Sequence, residues 1–451
     1  GLVGSEMCIR DRYYLIKEIS MSKEENRKNF SKYVSQNILG MIGFSCYVLA
    51  DSYFISIAKG ADGLTALNLV MPLYSIIFSI GEMIGVGSAI RYAISKIKKD
   101  ADADDYFWNA LIWCILSSML FVFAGIFFSA DIMRVLGADE HIVAVGNNYT
   151  KIFMCFAPMF MCNYVTNAFV RNDGAPGIAM SATLFSSLFN IVFDYILMFP
   201  MNLGMEGAAL ATALSPIIGM GICSIHFFSK KSSVRLVVCK PSVRKLVAGC
   251  QLGVSAFVGE MSSAVITLAF NFVILKLAGN VGVAAYGVVA NIAIVTTAVF
   301  NGVAQGSQPL ISSCFGRGDK DGCTQLKRMG YTTAFVLAAV MYSILFIFAG
   351  QFVAVFNSEG SEMLRLYATE GVKLYFIGIF FAGINIVGGG AFSATEDAFK
   401  AAVVSVARGF VLILGAVFVM SAFFGMTGVW LAYAVAEGIT TFIMLVMAMR
   451  V

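Results

Sequence analysis

Apolar runs long enough to cross a bilayer follow one another along nearly the whole chain, divided by short polar breaks. A membrane span takes about 20 mainly apolar residues. Twelve segments meet that requirement, at approximately 36–58, 64–90, 106–129, 147–170, 177–200, 206–229, 247–278, 283–312, 328–350, 366–392, 398–424 and 427–449. The pattern predicts an all-α polytopic membrane protein with twelve transmembrane helices. Composition agrees: of 451 residues, 59% are hydrophobic and 13% charged, with a mean hydropathy of +0.82, against roughly 25% charge in soluble domains. The 43 glycines against 7 prolines fit close helix packing, because small residues let backbones approach.

The breaks between spans repeat. At a shift of 219 residues Gly60 matches Gly279, Gly87-Ser88 matches Gly306-Ser307, and Asp100 matches Asp319. At a shift of 221 Gly204-x-x-Gly207 recurs as Gly425-x-x-Gly428. Punctuation in one order and nearly one register predicts two pseudo-symmetric six-helix lobes, 21–229 and 247–451, joined by a basic linker over 230–246. Six spans per lobe is an even number, so both lobes face the same way, a known transporter plan with a substrate route between parallel halves. The first twelve residues, GLVGSEMCIRDR, resemble a translated sequencing adapter; residues 1–20 read as a non-native extension and Met21 as the start.

Net charge is +4, which gives no reason to expect nucleic acid, but its placement is informative. The tail from Met21, the even-numbered connections and the terminal Arg450 carry 22 Lys and Arg, including Arg171 and Arg408, whereas the opposite side carries six. Basic connections stay in the cytoplasm. The expectation is a multi-pass plasma-membrane protein, working as a monomer among membrane lipid, with both termini cytoplasmic.

Acids inside spans are costly and therefore functional candidates. Five lie deep: Asp51, Glu82, Asp194, Glu260 and Glu437. Asp51, Asp194 and Thr212 each sit six to eight residues from an outer-end marker, Lys59, Pro200 or Glu206, which at 1.5 Å per residue is about 9–12 Å below the boundary. Asn190 lies four residues before Asp194 and so on the same helix face. Two carboxylates in one poorly solvated pocket share protons as a pair, and with an added amide and hydroxyl they also suit a hard cation. Asp51, Asn190, Asp194 and Thr212 are the candidate cation-coupling site, for a proton or a sodium ion; the plainer alternative is that each acid separately stabilises packing. Gln36, Asn163, Asn167 and Glu260 are candidates for the substrate cavity, Glu260 as the receiver of a cationic substrate or a second ion, or as a structural acid bonded to Ser262 or Ser263. Glu82 and Glu437 read as partnered packing acids, with lining of the cytoplasmic half of a cavity as the alternative.

The ten cysteines show no C-x-x-C pairing and the two histidines, His141 and His226, are too few for an all-protein zinc site. No cofactor is expected, and no metal beyond sodium at the coupling site. An intramembrane enzyme would need a motif such as H-E-x-x-H or a nucleophile with its base, and none is present.

Several stretches resemble the multidrug and toxic compound extrusion (MATE) transporters: ADSYFISIAKGADGLTALNLVMPL (50–73), RNDGAPGIAMSATLFSSLFNIVFDYILMF (171–199), GMEGAALATALS (204–215), VAQGSQPLISSCFGRGD (303–319) and GMTGVWLAYAVAEG (425–438). They occur in family order in both halves. The resemblance implies two six-helix lobes around a V-shaped cavity that opens alternately to either membrane face. It also implies export of small amphipathic, often cationic compounds against an inward flow of protons or sodium. It carries the family's first-span aspartate onto Asp51, its fifth-span N-x-x-x-D onto Asn190 and Asp194, and its sixth-span threonine onto Thr212. The tenth-span aspartate of sodium-coupled members has no counterpart in FAGINIVGGGAFSAT, and Glu260 stands about one turn before their seventh-span glutamate. The rival expectation is an exporter or flippase of a lipid-linked or native metabolite on a related fold.

Overall fold

The computed structural model describes residues 23–356 and 361–449, whose regular elements are all helices, with no strand among them. The stretch 1–20 read as an extension, and Arg450, lie outside the described residues. The N-terminal lobe comprises α1 (Lys23–Gly60), α2 (Asp62–Lys98), α3 (Asp105–Val135), α4 (Glu140–Cys155), α5 (Ala157–Asn172), α6 (Pro176–Met198) and α7 (Gly204–Phe227). α4 and α5 form one span bent by 46°, at Pro158, whose ring removes a donor and clashes with the preceding turn. The C-terminal lobe has α8 (243–278) and α9 (280–317), which run on as one 75-residue helix except for a break at Gly279. At 1.5 Å per residue that run is over 110 Å, far beyond a hydrocarbon core of about 30 Å, so it is two spans. Then come α10 (Lys320–Ile347), α11 (Ala349–Phe356), which is too short to cross, α12 (Glu362–Ala394), and α13 (398–424) with α14 (426–449), separated at Gly425. The twelve spans expected from hydropathy are all there, and several run longer: α1 begins at Lys23 rather than 36 and α9 ends at Arg317 rather than 312. The extra turns carry Lys and Arg, whose long stems let a helix continue into the headgroup layer.

The repeat glycines are where the backbone leaves the helix. Gly60 (φ 58°, ψ −142°) and Gly279 (φ 61°, ψ −157°) separate the first two spans of each lobe, and Gly425 (φ 55°, ψ −135°) separates the last two. Gly204, its partner in the repeat, has φ 53° and opens α7. These angles approach a region that only glycine occupies at low cost. Nothing lies within 4 Å of where a Cβ would stand at Gly60, Gly279 or Gly425. Glycine is required there by the backbone and not by crowding.

Each lobe has its own apolar core, represented by Leu67, Phe153 and Phe169 in the first and Phe270, Phe376 and Trp430 in the second. The lobes also trade residues: Phe30 and Val34 of α1 enter the second core, and Leu252 of α8 enters the first. Close backbone contact accounts for this. A Cβ at Gly87 would stand 2.7 Å from the Gly253 nitrogen, and one at Gly306 would stand 2.8 Å from the Val34 Cα. Gly87 and Gly306 are repeat partners, and so are Val34 and Gly253, so α2 on α8 and α9 on α1 are two copies of one contact. The Gly81-x-x-x-Gly85 and Gly302-x-x-x-Gly306 pairs serve the same end, against Met161 and Val165 of α5 and against Ile38 and Val34 of α1. This seam lies toward the basic face, where both described chain ends emerge. There Glu396 of the second lobe pairs with Arg91 and, at 3.4 Å, with Lys98. The linker is tied down by Asp173, which accepts from the Ser233 amide at 2.9 Å and the Ser232 hydroxyl at 3.2 Å and meets His226 at 2.8 Å.

Gly279→Ala is expected to destabilise the protein by about 1–3 kcal/mol through its backbone angles. Gly287→Ala, inside α9 with open space around it, should stabilise by about 0.5–1 kcal/mol. Thermal unfolding in detergent compares them, and a shift of the same sign for both would contradict the assignment.

Candidate functional site

The sequence-predicted coupling residues come from three helices of the first lobe. α1 is held to the outer half of α6 by Phe54, whose ring lies 6.2 Å from those of Tyr195 and Phe199; this brings Asp51, one turn earlier on α1, toward Asp194. Asn190 and Asp194 share the face of α6 that packs on α7, where Thr212 sits. With its amide oriented to satisfy both neighbours, Asn190 donates to Asp194 Oδ2 at 3.1 Å and accepts from the Thr212 hydroxyl at 3.1 Å and the Thr212 backbone amide at 3.3 Å. All four residues are buried: Asn190 and Asp194 fully, with Thr212 at 2% and Asp51 at 6% exposure. Hydrogen bonds connect three of them, and Asp51 joins through its field, since the two carboxylates act electrostatically on one another. Asp51 Oδ1 and Asp194 Oδ1 are buried with no hydrogen-bond partner among the described residues.

Nearer the basic face is a cavity of about 110 Å³. Its walls include Phe44, Tyr47, Phe78 and Tyr164, and its acids are Glu82 and Glu260. Tyr47 links the two regions: it lines the cavity and also lies in the field of Asp51 and Asp194. Asn163 and Asn167 line it as well. Asn167 commits its amide to Ala179 O at 3.1 Å and Thr183 Oγ1 at 3.2 Å, tying α5 to α6, whereas the Asn163 oxygen is buried without a partner. Gln36 is not among the lining residues; its amide rests beside Gly177 of α6. Glu260 is not bonded to Ser262, whose hydroxyl donates to Gly259 O at 2.9 Å.

Two arginines counted above with the basic connections are placed elsewhere. Arg171, at the end of α5, is 5% exposed and faces the lobe boundary. Its Nη1 donates to Gln305 Oε1 at 2.7 Å and to Asn37 Oδ1 at 3.4 Å, while Gln305 Nε2 donates to Glu82 Oε1 at 3.1 Å. Arg408 lies in a π-helical turn, Ala407–Val411, within α13. It donates to Glu437 at 2.7 Å; Asn385 also donates to Glu437, at 2.7 Å, and Thr441 donates to Asn385 at 3.0 Å. Glu437 is thus a partnered packing acid. Both arginines flank turn-like sequence, R-N-D-G and A-R-G, which reads as loop; the available signal was an intramembrane acid on another span still lacking a cation.

The second lobe carries no copy of the polar site. The repeat shifts carry Asp51 onto Phe270 and Thr212 onto Tyr433, and these flank Tyr375, at 5.9 Å from Phe270 and stacked at 4.3 Å on Tyr433.

Comparison with known proteins agrees with this architecture. The MatE family model matches residues 37–196 and 256–418. The chain belongs to the MatE family. Curated relatives include "Multidrug export protein MepA" of Staphylococcus aureus (strain MRSA252), 27% identical over 414 residues covering 89% of each chain. The protein of the same name from Staphylococcus saprophyticus is 26% identical over 409 residues, again covering 89% of each. Among solved structures, one titled "Outward-facing conformation of a multidrug resistance MATE family transporter of the MOP superfamily" superposes with a TM-score of 0.86 over 96% of both chains at 20% identity. Another, "Crystal structure of MATE in complex with MaL6", gives 0.88 at 20% identity over 94% of this chain and 96% of that one. At that identity they show the MatE fold.

Asn190→Ala removes the one side chain that serves both Asp194 and Thr212, and should cost on the order of 1–3 kcal/mol because their buried groups lose a partner. Asn163→Ala should cost less, since it removes an oxygen with no partner. Melting curves of the two variants that coincide would refute this ranking.

Proposed function

We propose that this MatE-family protein is a cation-coupled multidrug exporter of the plasma membrane, with its basic face in the cytoplasm. Support comes first from Asp51 Oδ1 and Asp194 Oδ1, two buried carboxylate oxygens in one another's field and without partners. A buried acceptor left unsatisfied costs about 1–3 kcal/mol, more when charged. A proton relieves that cost by neutralising one acid; a sodium ion relieves it by taking oxygens from Asp51, Asp194, Asn190 and Thr212. The donor set suits either ion; in the second lobe the positions aligned with Asp51 and Thr212 are the aromatic Phe270 and Tyr433, and the acid Glu437 is already paired with Arg408.

The substrate class follows from the cavity, where aromatic walls meet two carboxylates, Glu82 and Glu260, and one guanidinium, Arg171. Flat rings and a net negative charge favour amphipathic organic cations, which aromatic faces also attract. The MepA relatives are named as multidrug export proteins, which fits. Export of a lipid-linked metabolite would call for a larger and more cationic cavity. At about 110 Å³ the space is below the roughly 300–1,000 Å³ of small-molecule sites, as suits a state whose lobes must part to admit cargo.

Coupling needs only that ion and drug bind the two access states with different affinities. An ion entering from outside binds the first lobe between α1, α6 and α7; repacking of α1 on α6 then favours release of drug outward. One elementary charge moving inward down about 100 mV contributes about 2.3 kcal/mol.

Ethidium efflux in everted vesicles, under separately imposed proton and sodium gradients, is the direct test. Asp51→Asn and Asp194→Asn should each lose most gradient-driven transport, at least about tenfold if one hydrogen bond or ion contact is removed, while still binding ethidium. Wild-type rates in both variants would overturn the coupling assignment.

A further inference from the structure

Gln305 is the one member of the Arg171–Asn37–Glu82 network that belongs to the second lobe. It stands on α9 between Gly302 and Gly306, whose bare backbones are pressed against Ile38 and Val34 of α1, and that close approach delivers its side chain into the first lobe. A carboxamide presents an acceptor and a donor side by side. Here the oxygen takes the Arg171 guanidinium at 2.7 Å and the nitrogen gives to Glu82 at 3.1 Å. A carboxylate at 305 would repel Glu82, and an aliphatic chain would serve neither charge.

We propose that Gln305 is the key of an interlobe gate that shuts the cavity toward the basic face. Resting on the alternating-access reading above, this assigns the neutral glutamine as a wedge between a cation and an anion of the opposite lobe. Arg171 and Glu82 are both nearly fully buried, so neither can be left alone when the lobes part. Withdrawal of Gln305 lets the guanidinium and carboxylate close on one another, while Asn37, itself anchored by donating to Tyr33 O at 2.8 Å, retains its hold on Arg171. Both states then keep both charges partnered, and the network has two discrete arrangements, the requirement for a switching element. Glu396 with Arg91 and Lys98 forms a separate, more exposed clasp on the same face.

The test uses the full chain in lipid nanodiscs, with spin labels attached through encoded non-natural residues at the exposed Lys99 and Lys320, on the basic ends of the two lobes. Distance distributions are recorded with and without ethidium. Gln305→Ala, and Gln305→Met, which keeps length but loses both polar groups, should each raise the fraction with parted ends about tenfold, the size expected for lost hydrogen bonds to charged groups. On a background where Arg171 and Glu82 are replaced by Met and Leu, Gln305→Ala should have no such effect. Wild-type protein that switches while both Gln305 variants match its distribution would overturn the wedge alone. Wild-type protein with a single distance under every ion and ethidium condition would overturn alternating access and the wedge with it.

Discussion

Hydrocarbon offers a polar atom no water to fall back on, and the structure follows from how each such atom finds a partner within the protein. Backbone groups do so by staying helical, with interruptions at a few glycines, at the bend by Pro158 and at the π-helical turn of α13. Charged side chains do so by pairing across spans, as Arg408 does with Glu437 and as Arg171 and Glu82 do through Gln305. Among the acids deep in the spans, Asp51 and Asp194 each keep one buried oxygen without a partner, and that pair marks the candidate site.

Pairing also explains how much was legible beforehand. Span number follows from an apolar length requirement that a linear sequence displays directly. The repeat glycines were visible as punctuation, although only the backbone shows that Gly60, Gly279 and Gly425 carry positive φ. Asn190 and Asp194 could be placed on one face because a helix fixes which residues are neighbours four apart; Thr212 and Asp51 were matched by depth. Arg171 escaped this reading because its partners are 134 residues away on either side, Asn37 and Gln305, and one-dimensional order says nothing about such distances. Gln36 shows the same limit in another way: depth on α1 could be read from the sequence, but not that its amide rests beside Gly177.

The two lobes share a scaffold and differ in chemistry. Gly87 on α8 and Gly306 on α1 make the same contact twice, so the seam inherits the symmetry of the repeat. The interiors do not: one has carboxylates, an amide and a hydroxyl where the other stacks Tyr375 on Tyr433. A symmetric seam between unlike lobes can be opened and closed by an event confined to one of them.

The glycine breaks have a further consequence for access to the face opposite the basic one. Because α1 turns into α2 at Gly60, α8 into α9 at Gly279 and α13 into α14 at Gly425, three of the connections opposite the basic face have almost no loop. That surface gives a protease little extended chain to cut and an antibody little protruding epitope to hold.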